Sequence, residues 1–155
     1  MNKFDIINHI RNRPYMSGIQ RDQLRIKQTS EVFTPTELVL KIISKKNLLE
    51  DLSKPSFTFL DQSCGDGQFL GEILIAKIEN NIPFEKALST IYGVDIMQDN
   101  VDLCRERLLC GQEHLRPIVK RNIVCADALR YHYRFDGTDP YKTDQDLHFD
   151  QLFTE

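Results

Sequence analysis

Three acids stand where short apolar runs end: Asp61 after Phe57-Thr58-Phe59-Leu60, Asp95 after Ile91-Tyr92-Gly93-Val94, and Asp127 after Asn122 to Ala126. If those runs are strands of one sheet, the acids line one rim of it, the side on which open α/β sheets bind ligands. Between the first run and the next apolar-periodic stretch lies Asp61-Gln62-Ser63-Cys64-Gly65-Asp66-Gly67-Gln68-Phe69-Leu70. A Gly-x-Gly turn there lets a ligand approach the backbone closely. The helix that follows offers free N–H groups to a carboxylate or phosphate. Asp95, some thirty residues after Asp61, is placed for ribose hydroxyls, and Asp127 for an adenine edge. Taken singly, each is equally well a turn aspartate. Jointly, with the glycines, they point to a nucleotide-like ligand.

The elements that must position these residues alternate. Thr34 is read as an N-cap, with Pro35 at the first helical position and Glu37 three after the cap, followed by the apolar face Leu38, Val39, Ile42 and Ile43. The cap by itself accounts for both Thr34 and Pro35. Phe69 to Ile78 reads as a helix, a Pro83-started helix follows, and Val101 to Leu109 is a third, stopped by Gly111. Asn122 to Cys125 is preferred over Ile118-Val119 as the third strand, and Phe149 to Phe153 begins a fourth. The expected fold is α/β: a Rossmann-like parallel sheet of about four strands with flanking helices and right-handed crossovers.

Composition agrees with a single globular unit. The chain has 155 residues, 41% apolar and 28% charged, with a net charge of −3. That balance does not advertise a nucleic-acid coat or a membrane-surface protein. Neither a bilayer-length apolar run nor a signal-peptide apolar region occurs. Cys64, Cys104, Cys110 and Cys125 form no Cys-x-x-Cys pair, so neither a disulfide framework nor a metal site is expected, and a reducing cytoplasm is the natural compartment. Residues 1–30 read as a basic arm or leader helix, with Arg11, Arg13, Arg21, Arg25 and Lys27 and an apolar-periodic piece at Phe4, Ile6, Ile7 and Ile10. Such a charge run usually faces water; its sharper reading is a weak contact to phosphate or to a partner. Residues 31–155 form the ligand-binding domain.

On these residues the chain resembles a family. Asp61 to Leu70 is similar to the S-adenosylmethionine loop of class I methyltransferases, and more narrowly of the DNA adenine-N6 methyltransferases of restriction–modification systems; Gln62 stands where their usual proline does. Val32-Phe33-Thr34-Pro35 resembles the Phe-Thr-Pro element before that loop, Tyr92-Gly93-Val94-Asp95-Ile96 the ribose-binding strand end, and Cys125-Ala126-Asp127-Ala128-Leu129 the adenine-contacting segment. The resemblance implies S-adenosyl-L-methionine as cofactor. Phe33, Thr34 and Pro35 would close over its methionine end, and Asp61, Ser63, Cys64, Gly65, Gly67 and Phe69 would form the loop. Asp95 would hold the ribose, Ile96 would lie against the adenine, and Asp127 with Ala128 would meet its amine. The four matches come in family order over about residues 30–130.

The resemblance also implies a missing part. In the family the flipped target base is held by an Asn/Asp/Ser-Pro-Pro-aromatic motif after the fourth strand. No Pro-Pro pair occurs here, and the sequence reaches Thr154-Glu155 about where that motif would begin. Asp139, Pro140 and Tyr141 are the weak substitute, with a simple turn as the plainer reading. Tyr131, Tyr133 and Phe135 could stack a base, but more often such residues cover the sheet edge. No target-recognition domain fits in the length, so DNA would be met through a second methyltransferase subunit or a homodimer formed on the fourth-strand edge, where Leu152 and Phe153 would be exposed. Four readings follow: the cofactor half of a methyltransferase completed by a partner; a catalytically inactive cofactor-binding or decoy module; a small complete methyltransferase on another acceptor; and a Rossmann-like structural protein.

Overall fold

A computed structural model describes residues 2–14 and 34–142 of the chain. The expectations placed on Phe33, on Arg21, Arg25 and Lys27, and on the fourth strand at 149–153 lie outside the described residues. The elements are α1 (Lys3–Asn12), α2 (Thr36–Ile43), α3 (Lys46–Leu52), β1 (Phe59–Asp61), α4 (Gln68–Glu79), α5 (Phe84–Leu88), β2 (Ile91–Asp95), α6 (Gln98–Leu109), a 3-10 turn (Glu113–Leu115), α7 (Arg116–Asn122) and β3 (Ile123–Cys125).

The sheet is parallel, in the order β1-β2-β3, with Asp61 beside Gly93 and Asp95 beside Cys125. Among the described residues it therefore has three strands rather than the four expected. Strand alternation sorts its side chains. Phe59, Ile91 and Ile123 face a large helical core built on Leu70, Ile73, Leu74, Val101, Cys104 and Leu108. Val94 and Ala126 face the opposite side, where Tyr131, Tyr133 and Phe135 cover them. The three rings touch one another at centroid separations of 5.2–6.1 Å. The Tyr133 hydroxyl donates to the Ala128 carbonyl at 2.7 Å, and the Phe135 N–H donates to the Tyr131 hydroxyl at 2.8 Å. These aromatics thus close the second face of β2 and β3. The cover stops short of β1, where Leu60 stays 40% exposed.

Two details differ from the sequence reading. First, α2 begins at Thr36, with Pro35 as its cap at φ −58°, ψ 141° and no side-chain cap bond. Thr34 is thus not the N-cap; the extended backbone of Pro35 starts the helix one turn-position later. Second, α1 is not a free arm. Ile6 and Ile10 lie in the helical core, and the methyl Cγ2 of Ile10 would sit 2.8 Å from a Cβ placed on Gly71 of α4. The glycine is what lets α1 approach. An Asn2–Asp5 capping box starts this helix. Its basic end is also engaged: Arg11 forks onto Glu72 at 2.8 and 3.1 Å, and Arg13 pairs with Asp66 at 3.5 Å.

α7 takes up Ile118 and Val119, leaving Ile123–Cys125 as the strand. Asn122, buried at the junction, donates to the carbonyls of Ile91 (3.1 Å), Ser89 and Leu88 and so locks β3 to the start of β2.

Candidate functional site

The turn from β1 to α4 is built on two left-handed glycines, Gly65 at φ 52° and Gly67 at φ 81°. Gly67 is required twice over, since a Cβ there would stand 2.7 Å from the Cys104 Sγ. Gly93 on β2 is needed for closeness alone: its Cβ would lie 2.8 Å from Leu70 Cδ1 and 2.9 Å from Cys64 Sγ. The glycines of this region let the turn, β2 and α6 nest without side chains between them. Cys64 is buried at that seam and its N–H donates to the Val94 carbonyl at 2.9 Å.

The strand-end acids do gather at one rim, and each already has a local task. Asp95 accepts the Gly65 N–H at 2.9 Å on Oδ2, and the Met97 N–H at 2.9 Å with Asn100 Nδ2 at 3.4 Å on Oδ1. It therefore ties the glycine turn to the end of β2. A carboxylate has about four lone-pair positions, so it retains acceptor capacity for a ligand hydroxyl. Asp61 accepts the Ser63 N–H at 3.0 Å. Burial pushes the Asp61 carboxyl above its usual range; the Ser63 bond opposes that shift and the nearby Asp95 charge adds to it. Two carboxylates thus repel across a half-buried rim, a place suited to a cation. Asp127 accepts the Leu129 N–H at 2.9 Å, and its own N–H donates to the Tyr141 hydroxyl at 3.2 Å.

Apolar side chains flank these acids in the open. Ile96, next to Asp95, is 65% exposed, and Leu129 is 96% exposed. Ala128 is half-buried beside Asp127. On the β1 side, Phe59, Leu60, Asp61, Gln62, Ser63 and Phe69 line an open groove of about 590 Å³, floored by the stacked rings of Phe59 and Phe69 at 5.4 Å and 8°. The structure thus brings together Asp61, Ser63, Cys64, Gly65, Gly67, Phe69, Asp95 and Ile96, with Asp127 and Ala128 on the adjoining strand end. Thr34 and Pro35 precede α2, whose Thr36 hydroxyl accepts from Gln68 Nε2, at the start of α4, at 2.9 Å.

Asp139, Pro140 and Tyr141 form a turn in which Asp139 Oδ1 accepts the Tyr141 N–H at 3.0 Å. Arg134 holds the Asp139 carbonyl at 2.9 Å. Through the Tyr141 hydroxyl this turn reaches Asp127. Asp139 and Pro140 line a separate pocket of about 290 Å³ with Arg105, Lys120 and Tyr131. No group of three or more metal-ligating side chains occurs among the described residues, and no helix there is long and apolar enough to cross a membrane.

Sequence reasoning missed the supports behind the turn. Asp66 is fully buried and forms an ion pair with the equally buried Arg107 at 3.1 Å. Gln68 is buried against the same guanidinium at 3.0 Å. A signal was present: Arg107 falls three and four residues after Cys104 and Leu103 on the apolar side of α6, where a cation requires a buried partner. Comparison with known proteins leaves the assignment to the geometry, since no family model, curated protein or solved structure matches the chain.

Proposed function

We propose that this rim binds S-adenosyl-L-methionine and that the chain is the cofactor-holding, Rossmann-like half of a DNA adenine-N6 methyltransferase. The observation that carries the reading is the junction of glycine turn and second strand: the Gly65 N–H on the Asp95 carboxylate, with Ile96 exposed beside it. The remaining lone pair of Asp95 would accept a ribose hydroxyl, and Ile96 and Ala128 would take the faces of the adenine. Asp127 would accept from the exocyclic amine. The Asp61 carboxyl, pushed above its usual range first by burial, would be offset by the cationic methionine ammonium or sulfonium. Thr34 and Pro35, which directly precede the Thr36 bonded to Gln68, would cover the methionine end.

No Pro-Pro pair occurs in the sequence, so holding the target base for methyl transfer is assigned to polypeptide outside these 155 residues. The alternative is a cofactor-binding module without transfer, in which the Asp139-Pro140-Tyr141 segment is a simple turn closed by the Tyr141 N–H on Asp139.

The test is calorimetric titration with S-adenosylmethionine, then a methyl-transfer assay on DNA with and without a candidate partner subunit. Ile96→Ala is the decisive variant, because its side chain is 65% exposed and supports nothing in the fold. Losing apolar contact with an adenine of about 40 Å² would weaken binding about fivefold. Asp95→Ala is expected to weaken it further, having lost both the ribose acceptor and the anchor of Gly65. Unchanged affinity in Ile96→Ala, or no binding by the unaltered chain, refutes the assignment. Binding without transfer in every combination selects the module.

A further inference from the structure

Behind the glycine turn lies a buried polar cluster. Arg107 Nη1 donates both to the Asp66 carbonyl and to Asp66 Oδ1, each at 3.1 Å, so it grips the backbone of the turn as well as its side chain. Arg107 Nη2 donates to Gln68 Oε1 at 3.0 Å. Arg13, at the end of α1, donates to the same Gln68 oxygen and faces Asp66 Oδ2 at 3.5 Å. That carboxylate oxygen makes no hydrogen bond among the described residues, leaving Arg13 as its counter-charge. On its other end Gln68 donates to the Thr36 hydroxyl at 2.9 Å. Gln68 thus touches Arg13 at the end of α1, Thr36 of α2 and Arg107 of α6 together.

Burying two charges and a carboxamide costs stability that an apolar cluster would not. What the polar groups add is direction: a guanidinium fork and a carboxamide accept few geometries. Asp66 sits between Gly65, whose N–H reaches Asp95, and left-handed Gly67. Thr36 directly follows the Thr34-Pro35 element. A displacement of α1 or α2 therefore bears on the turn through Gln68 and Asp66.

We infer that Asp66 and Gln68 are the hub of a buried clamp, with Arg13, Arg107 and Thr36 as its positioning residues, which sets the glycine turn and the Thr34-Pro35 element in register for the cofactor. The inference rests on the S-adenosylmethionine reading of the rim. It makes the N-terminal helix part of the cofactor site, although α1 carries no residue that touches the ligand.

Thr36→Val and Arg13→Ala each cut one outer arm and leave the fully buried Asp66–Arg107 pair intact, so both variants fold. S-adenosylmethionine affinity in the full chain should fall about threefold to tenfold in each, the range expected for one lost hydrogen bond or ion contact. Amide exchange at Gly65 and Gly67 in the unliganded variants should quicken while exchange in the core of α4 stays slow. Arg13→Lys, which restores a charge opposite Asp66 but not the fork to Gln68, should recover part of the affinity. A merely structural role predicts the opposite pattern: a lower thermal midpoint, with affinity and the local exchange of the turn unchanged. That pattern overturns the clamp. Failure of the unaltered chain to bind S-adenosylmethionine overturns the cofactor reading instead, so the two failures are distinguishable.

Discussion

Replacing Gly67 by alanine probes how the turn is held, and the structure allows its cost to be built up from parts. The residue sits at φ 81°, so any side chain there adopts left-handed backbone, at about 1–2 kcal/mol. The new Cβ would stand 2.7 Å from Cys104 Sγ and 3.4 Å from the Cys104 Cα and Cβ. Cys104 is fully buried, so its sulfur has no open space to move into, and overpacking of this kind costs about 1–3 kcal/mol. Together the terms give a loss of about 2–5 kcal/mol, which a domain with typical stability of about 5–15 kcal/mol survives. Cys104→Ala alone removes one buried sulfur and should cost about 1–2 kcal/mol. In the double variant the overpacking disappears while the backbone term stays. The two changes should therefore couple favourably by about 1–3 kcal/mol in a double-mutant cycle. Urea unfolding followed by far-UV circular dichroism suits the measurement, as the chain has no tryptophan. Strict additivity would refute the claim that Gly67 is there to admit the Cys104 sulfur. A cost of Gly67→Ala below about 0.5 kcal/mol would refute the left-handed turn itself.

Two further predictions concern titration and reactivity. Burial raises the Asp61 carboxyl above 3.8, so the folded state holds that proton more tightly than the unfolded chain. The associated stability is present below the unfolded value and is lost as pH rises through the raised one. Asp61→Asn keeps the acceptor for the Ser63 N–H; its thermal midpoint relative to the unaltered protein should climb across that window, and a difference constant with pH would refute the shift. Among the cysteines, Cys64, Cys104 and Cys110 are buried, and burial pushes the Cys110 thiol up to about 12. Ellman's reagent should therefore modify only the half-exposed Cys125 in the native protein and all four thiols in denaturant; a second thiol reacting natively at a comparable rate would overturn that assignment.

The cofactor-like rim and the supports behind it differ in how visible they were. The rim residues are punctuated by the local chain: a β-run that ends at an acid, then glycines, then helical periodicity, each readable within a window of ten residues or so. The pairs behind the turn join residues far apart. Arg13 meets Asp66 and Gln68, and Arg107 meets both from α6. Nothing in a local window distinguishes Arg13 from Arg11, yet one pairs at the glycine turn and the other with Glu72 on the flank of α4. The role of Asp95 was likewise half legible. Its place at a strand end could be read; its bond to the Gly65 N–H could not, because its partners lie 30 residues apart, across α4, α5 and β2.

By itself, the sequence determined the α/β alternation, the bounds of the long helices to within a few residues, and the positions of the glycines and acids. Those follow from periodicity and from backbone preferences, which act over one or two turns. Only the tertiary structure decided that Pro35 rather than Thr34 starts α2, that the aromatics at 131–135 cover the sheet instead of standing free, and that the leader helix belongs to the core. Each of these depends on which surfaces meet. Ile6 and Ile10 are apolar in any context, but Gly71 is what leaves them a place to go.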